Sequence, residues 1–243
     1  MSLKNPNDHA VQSMFDRIAG RYDLLNRVIS LRLDTWWRKK AIEAVIRDGS
    51  ESVLDMGAGT GDLTFTAARH LIDGRVIGLD FSSEMLRLAQ AKRSTALNGD
   101  RAFFVLGNAL SPPFKDAFFD AVITAFVLRN LSDLQLFFVN SFRILKPGGK
   151  LVSLDMFPPT RGLFCPFYSL YFYGLMPWVG GILAHDRKAY SYLAKSVQKF
   201  APPEAIAELI TRAGFERVAV SKFLNGAVCM HIAEKASPSP RAG

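Results

Sequence analysis

Residues 53–62, VLDMGAGTGD, place a short apolar run, an acid and a glycine turn in direct succession, and few folds accept that order. Val53 and Leu54 read as the end of a buried strand with Asp55 at its carboxyl edge. Gly57, Gly59 and Gly61 form a turn, and a helical pattern follows from Leu63 to Leu71. Strand, glycine loop and helix together make a ligand cradle: residues without Cβ let a ligand approach the backbone and accept φ > 0, and a helix start offers free N–H groups.

The same logic repeats downstream. Arg75 to Leu79 is a second apolar run, ending in Asp80, with Ser82 as an N-cap and a helix through Ala91. A carboxylate at the end of a second strand suits the paired hydroxyls of a ribose. Dinucleotide folds share that device, but here Asp62 stands where the last glycine of GxGxxG would fall, which disfavours a pyrophosphate. A short amino-acid tail fits the GxGxG loop and its nearby acids better. A third strand, 103–106, leads to Asn108, whose amide suits an adenine edge. A fourth, 119–126, precedes a helix over 132–145, and Lys146 to Lys150 turns into a fifth strand at 151–154. Phe215 to Val220 and Ala227 to Ile232 read as antiparallel strands joined through Asn225-Gly226. The alternating βα series predicts a parallel sheet whose ligands gather at the carboxyl strand ends.

Composition narrows the classes. The 243 residues are 49% hydrophobic, enough for one α/β core. Cys165 and Cys229 form no CxxC pair and no histidines cluster, which argues against a disulfide framework or structural zinc and for a reduced compartment. No secretory signal is expected, because acids and arginines interrupt the first thirty residues. The formal charge of +8 invites nucleic-acid or anionic-membrane readings. No dense basic run beyond Arg38-Lys39-Lys40 and no aromatic interleaving supports RNA, so solvated basic faces or lipid headgroups remain.

N-terminal to the cradle, Val11, Met14, Phe15 and Ile18 recur at helical spacing, as do Trp36, Trp37, Ala41, Ala44 and Val45, with Asp34 a candidate cap. Between them, RYDLLN at 21–26 either closes over a pocket or packs Tyr22 as an ordinary half-buried residue. Residues 162–184 carry no charge and reach bilayer-spanning length. Their prolines, glycines and aromatics break an even helix, leaving three readings: a membrane span, a core helix, and an apolar lid or substrate wall. Helices follow at 190–200 and 204–213.

Taken together, DMGAGTGD, GLDFSSEML, GNAL and RILKPGGKL resemble the successive motifs of class I S-adenosylmethionine-dependent methyltransferases. The match narrows further with MFDRIAGRYDLLNRVISLRLDTWWRKKAI (14–42), LRNLSD (128–133), YSYLAKSVQKF (190–200) and FLNGAVCMH (223–231). These resemble the demethylmenaquinone and ubiquinone-pathway C-methyltransferases over residues 10–235. The resemblance implies a Rossmann-like α/β fold: a mostly parallel seven-stranded sheet with an antiparallel C-terminal strand and helices on both faces. It implies a helical cap at 1–48, a methyltransferase domain at 49–235 with an apolar lid insert near 160–200, and a disordered tail at 236–243.

For the cofactor-binding set the resemblance implies Asp55, Gly57, Gly59, Thr60, Asp80, Met85, Asn108, Ala109 and Ala125. Gly59 and Thr60 would meet the methionine portion, Asp80 the ribose, and Asn108 with Ala109 the adenine. Two positions depart from the pattern: Asn108 replaces the usual Asp, and Val127 the usual Gly. The implied reaction is methyl transfer from S-adenosylmethionine to the ring carbon of a prenylated quinol, demethylmenaquinol or the ubiquinone-pathway benzoquinol, with no metal. Alternatives are another apolar small molecule or an RNA. Catalytic candidates are Arg129 and Asn130 of the LRN motif, Tyr22 and His231, with Asp16 a further group able to close the site; a lone histidine near a C-terminal strand also reads as a satisfied structural residue. A cytoplasmic protein touching the inner membrane face, without nucleic acid and with room for a homodimer, completes the expectation.

Overall fold

The computed structural model describes residues 8–158, 174 and 187–237. Its strands are β1 Ser52–Met56, β2 Arg75–Asp80, β3 Ala102–Leu106, β4 Phe119–Ala125, β5 Leu145–Met156, β6 Glu216–Phe223 and β7 Val228–Glu234. They form one sheet in the order β3-β2-β1-β4-β5-β7-β6. β1 runs parallel to β2 and β4, β2 to β3, and β4 to β5, whereas β7 is antiparallel to both β5 and β6. Central strands are covered on both faces, so Val53, Leu54, Met56, Ala121, Val122 and Ile123 are all fully buried. That is why the sequence shows unbroken apolar runs there rather than alternation.

The helices are α1 Asp8–Ile18, α2 Tyr22–Ile29, α3 Leu33–Glu43, α4 Asp62–Ala68, α5 Ser83–Arg93, α6 Leu134–Ile144, α7 Arg187–Gln198 and α8 Pro203–Arg212. On one face Trp37, Ala41 and Ile42 of α3 and Leu63 and Phe65 of α4 pack on Val53, Ile123 and Val152. On the other, Phe137 and Phe138 of α6 and Ile206 and Ile210 of α8 cover Leu54, Val122 and Leu151. Truncating either fully buried phenylalanine of α6 to alanine would cost about 3–5 kcal/mol. A smaller cluster of Met14, Val197 and Ala227 ties α1 and α7 to the end of the sheet.

Local chemistry explains most of the boundaries. Ser82 caps α5 by accepting from the Met85 N–H at 3.1 Å, and Asp133 caps α6 by accepting from Leu136 N–H at 2.9 Å. Asp34 does not cap its helix: it lies inside the first turn of α3, buried, accepting from Ser30 Oγ at 2.6 Å and sitting 3.5 Å from Arg38 Nε. β5 begins before its expected start, because Leu145 already pairs with Phe119. The uncharged stretch 162–184 lies, apart from position 174, outside the described residues, and with it the choice between span, core helix and lid. Among the described residues no helix is long and apolar enough to cross a membrane. The sheet order reverses between β1 and β4, so a crevice opens at their carboxyl ends, where open α/β sheets bind ligands.

Candidate active site

Leaving β1, the chain is clipped to the end of β2: the N–H groups of Gly57 and Ala58 both donate to Leu79 C=O, at 2.8 and 3.0 Å. Gly57 has φ 83°, and a Cβ there would collide with the Val127 side chain. Gly59 has φ 56° and opens toward the Tyr22 ring, the nearest atom of which would lie 3.8 Å from an added Cβ. Both positions therefore demand glycine, one for space below and one for backbone conformation beneath an overhanging ring. Asp80, at the tip of β2, accepts from Gly59 N–H at 2.8 Å and Ser82 N–H at 2.9 Å. Burial raises its pKa despite those bonds. Gly57, Gly59, Asp80, Met85, Asn108, Ala109 and Ala125 line one cavity together with Val11, Phe15, Tyr22, Phe126, Val127 and Asn130. Its floor is loop backbone and its wall an anchored carboxylate, the combination expected for a nucleoside carrying an amino-acid tail.

The N-terminal helices are fastened to this cavity by side chains. Gln12 Nε2 donates to Phe81 C=O at 2.8 Å, and Ser82 Oγ donates to the Asp16 carboxylate. Asp23 of α2 accepts from Thr60 Oγ and pairs with Lys92, which also holds Asp62 at 3.1 Å. Helix caps and glycine loop thus serve as the docking points for α1 and α2.

A second cavity adjoins the first through Phe15, Tyr22 and Asn130. Its further walls are Met14 and Ile18 of α1, Asn26 and Ile29 of α2, Tyr192 and Leu193 of α7, and Arg129. Arg129 Nη1 is bound to the buried carboxylate of Asp155, whose second oxygen accepts from Arg129 N–H at 3.4 Å. The pair fixes a cation at the wall of a cavity otherwise lined by apolar side chains and the uncharged polar groups of Tyr22, Asn26, Asn130 and Tyr192. Tyr192 O–H donates to Asn130 Oδ1 at 3.3 Å, while Asn130 Nδ2 donates to Phe126 C=O at the same distance. Phe126, which lines the first cavity, holds φ 64°, a left-handed conformation rare for a non-glycine residue. Burial raises the pKa of both Tyr22 and Tyr192, so both phenols stay neutral near pH 7 and can donate hydrogen bonds.

Three expected site residues fall elsewhere. Thr60 lines neither cavity; its hydroxyl is spent on Asp23. Asp55 is fully buried behind the loop, accepts from Thr64 Oγ at 2.6 Å, and is pushed up to about 7 by burial. It supports the loop from beneath rather than facing the cavity. His231 lines neither cavity. It is buried between β5 and β6, with Nε2 2.9 Å from Pro203 C=O and Nδ1 3.5 Å from Ser153 Oγ, and burial lowers its pKa. Asn108 does line the cavity, but its Oδ1 accepts from Leu110 N–H at 2.8 Å, so the amide is partly turned into its own loop.

Sequence reasoning missed Asp155 and Tyr192, whereas Asn26 lies in the 21–26 stretch expected to close over a pocket. Tyr192 is 62 positions from its partner Asn130, beyond any local pattern. Asp155 did leave a signal, an acid at the end of a strand like Asp55 and Asp80.

A seven-stranded sheet with one antiparallel strand, a glycine loop after β1 and an acid ending β2 define a class I S-adenosylmethionine-dependent methyltransferase. Solved structures agree on the fold. A Thermotoga maritima S-adenosylmethionine-dependent methyltransferase, described as a possible histamine N-methyltransferase, superimposes with a TM-score of 0.64 at 18% identity, covering 92% of this chain and 98% of that one. A phosphoethanolamine N-methyltransferase of Haemonchus contortus, solved with S-adenosylmethionine, gives 0.58 at 18% identity over 83% of this chain and 53% of its own. More particularly, residues 3–235 match the model of the ubiE/COQ5 methyltransferase family, and the chain belongs to that family. Among its relatives, the demethylmenaquinone methyltransferase of Lactiplantibacillus plantarum is 40% identical, covering 93% of this chain and 96% of that protein. That of Thermus thermophilus is 36% identical over 91% and 100%.

Proposed function

We propose that the protein transfers the methyl group of S-adenosylmethionine to the ring carbon of a prenylated quinol, demethylmenaquinol foremost. The observation that carries this reading is the joined pair of cavities: one floored by glycine-loop backbone and walled by Asp80, the other lined by apolar side chains and uncharged polar groups around Arg129, which Asp155 holds. The names of its relatives favour demethylmenaquinol; a relative from Desulfotalea psychrophila, a ubiquinone/menaquinone biosynthesis C-methyltransferase at 38% identity, keeps the ubiquinone-pathway benzoquinol as the second acceptor.

Gly57 and Gly59 would accept the methionine portion against their backbone, Asp80 the ribose hydroxyls, and Asn108 with Ala109 the adenine. The donor supplies an already electrophilic methyl group, so the protein need only align it and raise electron density on the acceptor carbon. The guanidinium of Arg129 stabilises a ring oxygen as it loses its proton, and Tyr192 and Asn130 orient that ring by hydrogen bonds. The ring carbon ortho to this oxygen then forms the new C–C bond as the sulfonium C–S bond breaks. Loss of the ring hydrogen restores aromaticity, and one proton is released overall. No step requires a metal. Met14, Ile18, Ile29 and Leu193 receive the apolar part of the acceptor. In this reading α1 and α2 act as a cap over both cavities, and the enzyme works in the cytoplasm at the inner membrane face, where a prenylated quinol resides.

Arg129→Gln combined with Asp155→Asn removes the cation without stranding a buried carboxylate. Turnover should fall by roughly 100-fold or more, the scale of a lost charge-stabilising donor, while calorimetry returns a wild-type donor Kd. Wild-type turnover would remove Arg129 from the mechanism.

A further inference from the structure

α2 and the turn that follows it have two unlike sides. Inward, Tyr22, Asn26 and Ile29 line the second cavity. Outward, Leu24 is 53% exposed, Leu31 70% and Trp36 47%, with Leu33 exposed beside them. Every acid between residues 21 and 36 turns inward: Asp23 to Thr60 and Lys92, and Asp34 to Ser30 and Arg38. The charges that face outward are Arg21, Arg27 and Arg32.

The turn that displays Leu31 is built rather than loose. Leu31 and Arg32 both hold left-handed backbones, φ 51° and 64°. Hydrogen bonds from Leu31 N–H to Val28 C=O at 3.2 Å, Arg32 N–H to Arg27 C=O at 2.8 Å and Leu33 N–H to Ser30 C=O at 3.0 Å hold it in place. Asparagine would adopt this backbone with less strain, and neither exposed side chain packs into the core. The Trp36 ring sets its edge against Phe223, centroids 5.3 Å apart, which brings Leu224, 40% exposed and itself at φ 46°, to the same surface.

We propose that this surface, Leu24, Leu31, Leu33, Trp36 and Leu224 among Arg27 and Arg32, seats the protein on an anionic lipid bilayer. The inference rests on the quinol reading only for why a bilayer is needed. Half-exposed tryptophan and leucine tips ringed by arginine suit the interfacial zone, where apolar groups enter the acyl boundary and cations meet phosphate headgroups. A second copy of the chain is the poorer occupant, because a two-fold contact through this patch would gather arginines from both copies with no acid of residues 21–36 facing outward to pair them. The helix that would meet lipid is also the wall of the cavity assigned to the acceptor.

The test is co-sedimentation of the full chain with vesicles of phosphatidylcholine alone and of phosphatidylcholine mixed with phosphatidylglycerol. It compares wild type with Leu31→Asn/Arg32→Asn, which keeps the left-handed turn, and with Trp36→Ser. Wild type should bind the anionic vesicles and release at high salt. Both variants should bind roughly tenfold less, the asparagine variant with an unchanged or raised Tm. Both should methylate a detergent-dispersed short-tailed quinol at the wild-type rate and lose activity on a long-tailed quinol held in vesicles. Wild type remaining in the supernatant, variants binding equally well, or a wild-type dimer that the variants abolish would overturn the proposal. Vesicle binding is scored without acceptor, so a protein that binds lipid but methylates no quinol refutes the proposed function and leaves this surface standing.

Discussion

Asp55 shows how far one buried group can set the behaviour of a chain. Its Oδ2 accepts from Thr64 while Oδ1 is buried with no hydrogen-bond partner, so little offsets the desolvation of its charged form. With a native pKa of about 7 against an ordinary value of 3.8, the folded state keeps a proton that the unfolded state has already lost. Stability must therefore fall as pH rises from about 4 to about 7, by about 1.4 kcal/mol per unit from this group alone. Asp55→Asn, which keeps the acceptor for Thr64, should remove that slope in urea denaturation measured at pH 5 and pH 7. Equal slopes in both proteins would mean Asp55 is ionised throughout. Residue identity made Asp55, Asp80 and Arg129 visible in the sequence, but identity does not report partners. His231 has the right intrinsic chemistry for a base and is spent on Pro203 and Ser153, while Asp155, an acid of the same kind as Asp80, lies against Arg129.

Elements were easier to read than their duties. Central parallel strands announce themselves as apolar runs closed by acids or turns, and β1, β2, β4 and the β6–β7 hairpin fall where those runs predict. The stripe Val11, Met14, Phe15 and Ile18 was equally legible as a helix, but an apolar stripe looks the same whether it packs on a core or walls a cavity. In α1 it lines the two cavities. What holds α1 and α2 there are long-range polar links, Gln12 to Phe81, Asp16 to Ser82 and Asp23 to Thr60 and Lys92, which no local spacing encodes. Asp23→Ala should loosen α2 from the glycine loop while Lys92 keeps Asp62. A charged hydrogen bond of this kind contributes about 1.5–3 kcal/mol, so the donor Kd measured by calorimetry should rise roughly tenfold with little change in Tm. A wild-type Kd would show that donor binding does not depend on closure by α2.

At the scale of the whole molecule, the sheet places two cavities edge to edge at its carboxyl side, and Phe15 of α1, Tyr22 of α2 and Asn130 form the wall they share. The mostly parallel sheet and the glycine loop could be foreseen because burial and backbone conformation restrict residue choice there. The acceptor side could not, because its walls come from segments far apart in the chain whose side chains are individually ordinary. Its assignment therefore rests on chemistry that can be measured. Purified protein should be given S-adenosylmethionine with a carbon-13 methyl group and, in separate reactions, a prenylated naphthoquinol, a prenylated benzoquinol and bulk RNA, each product being located by NMR. Label is expected on the ring carbon of the naphthoquinol, fastest of the three, and none on RNA. Label on a ring oxygen, label on RNA, or no transfer to either quinol would contradict that assignment.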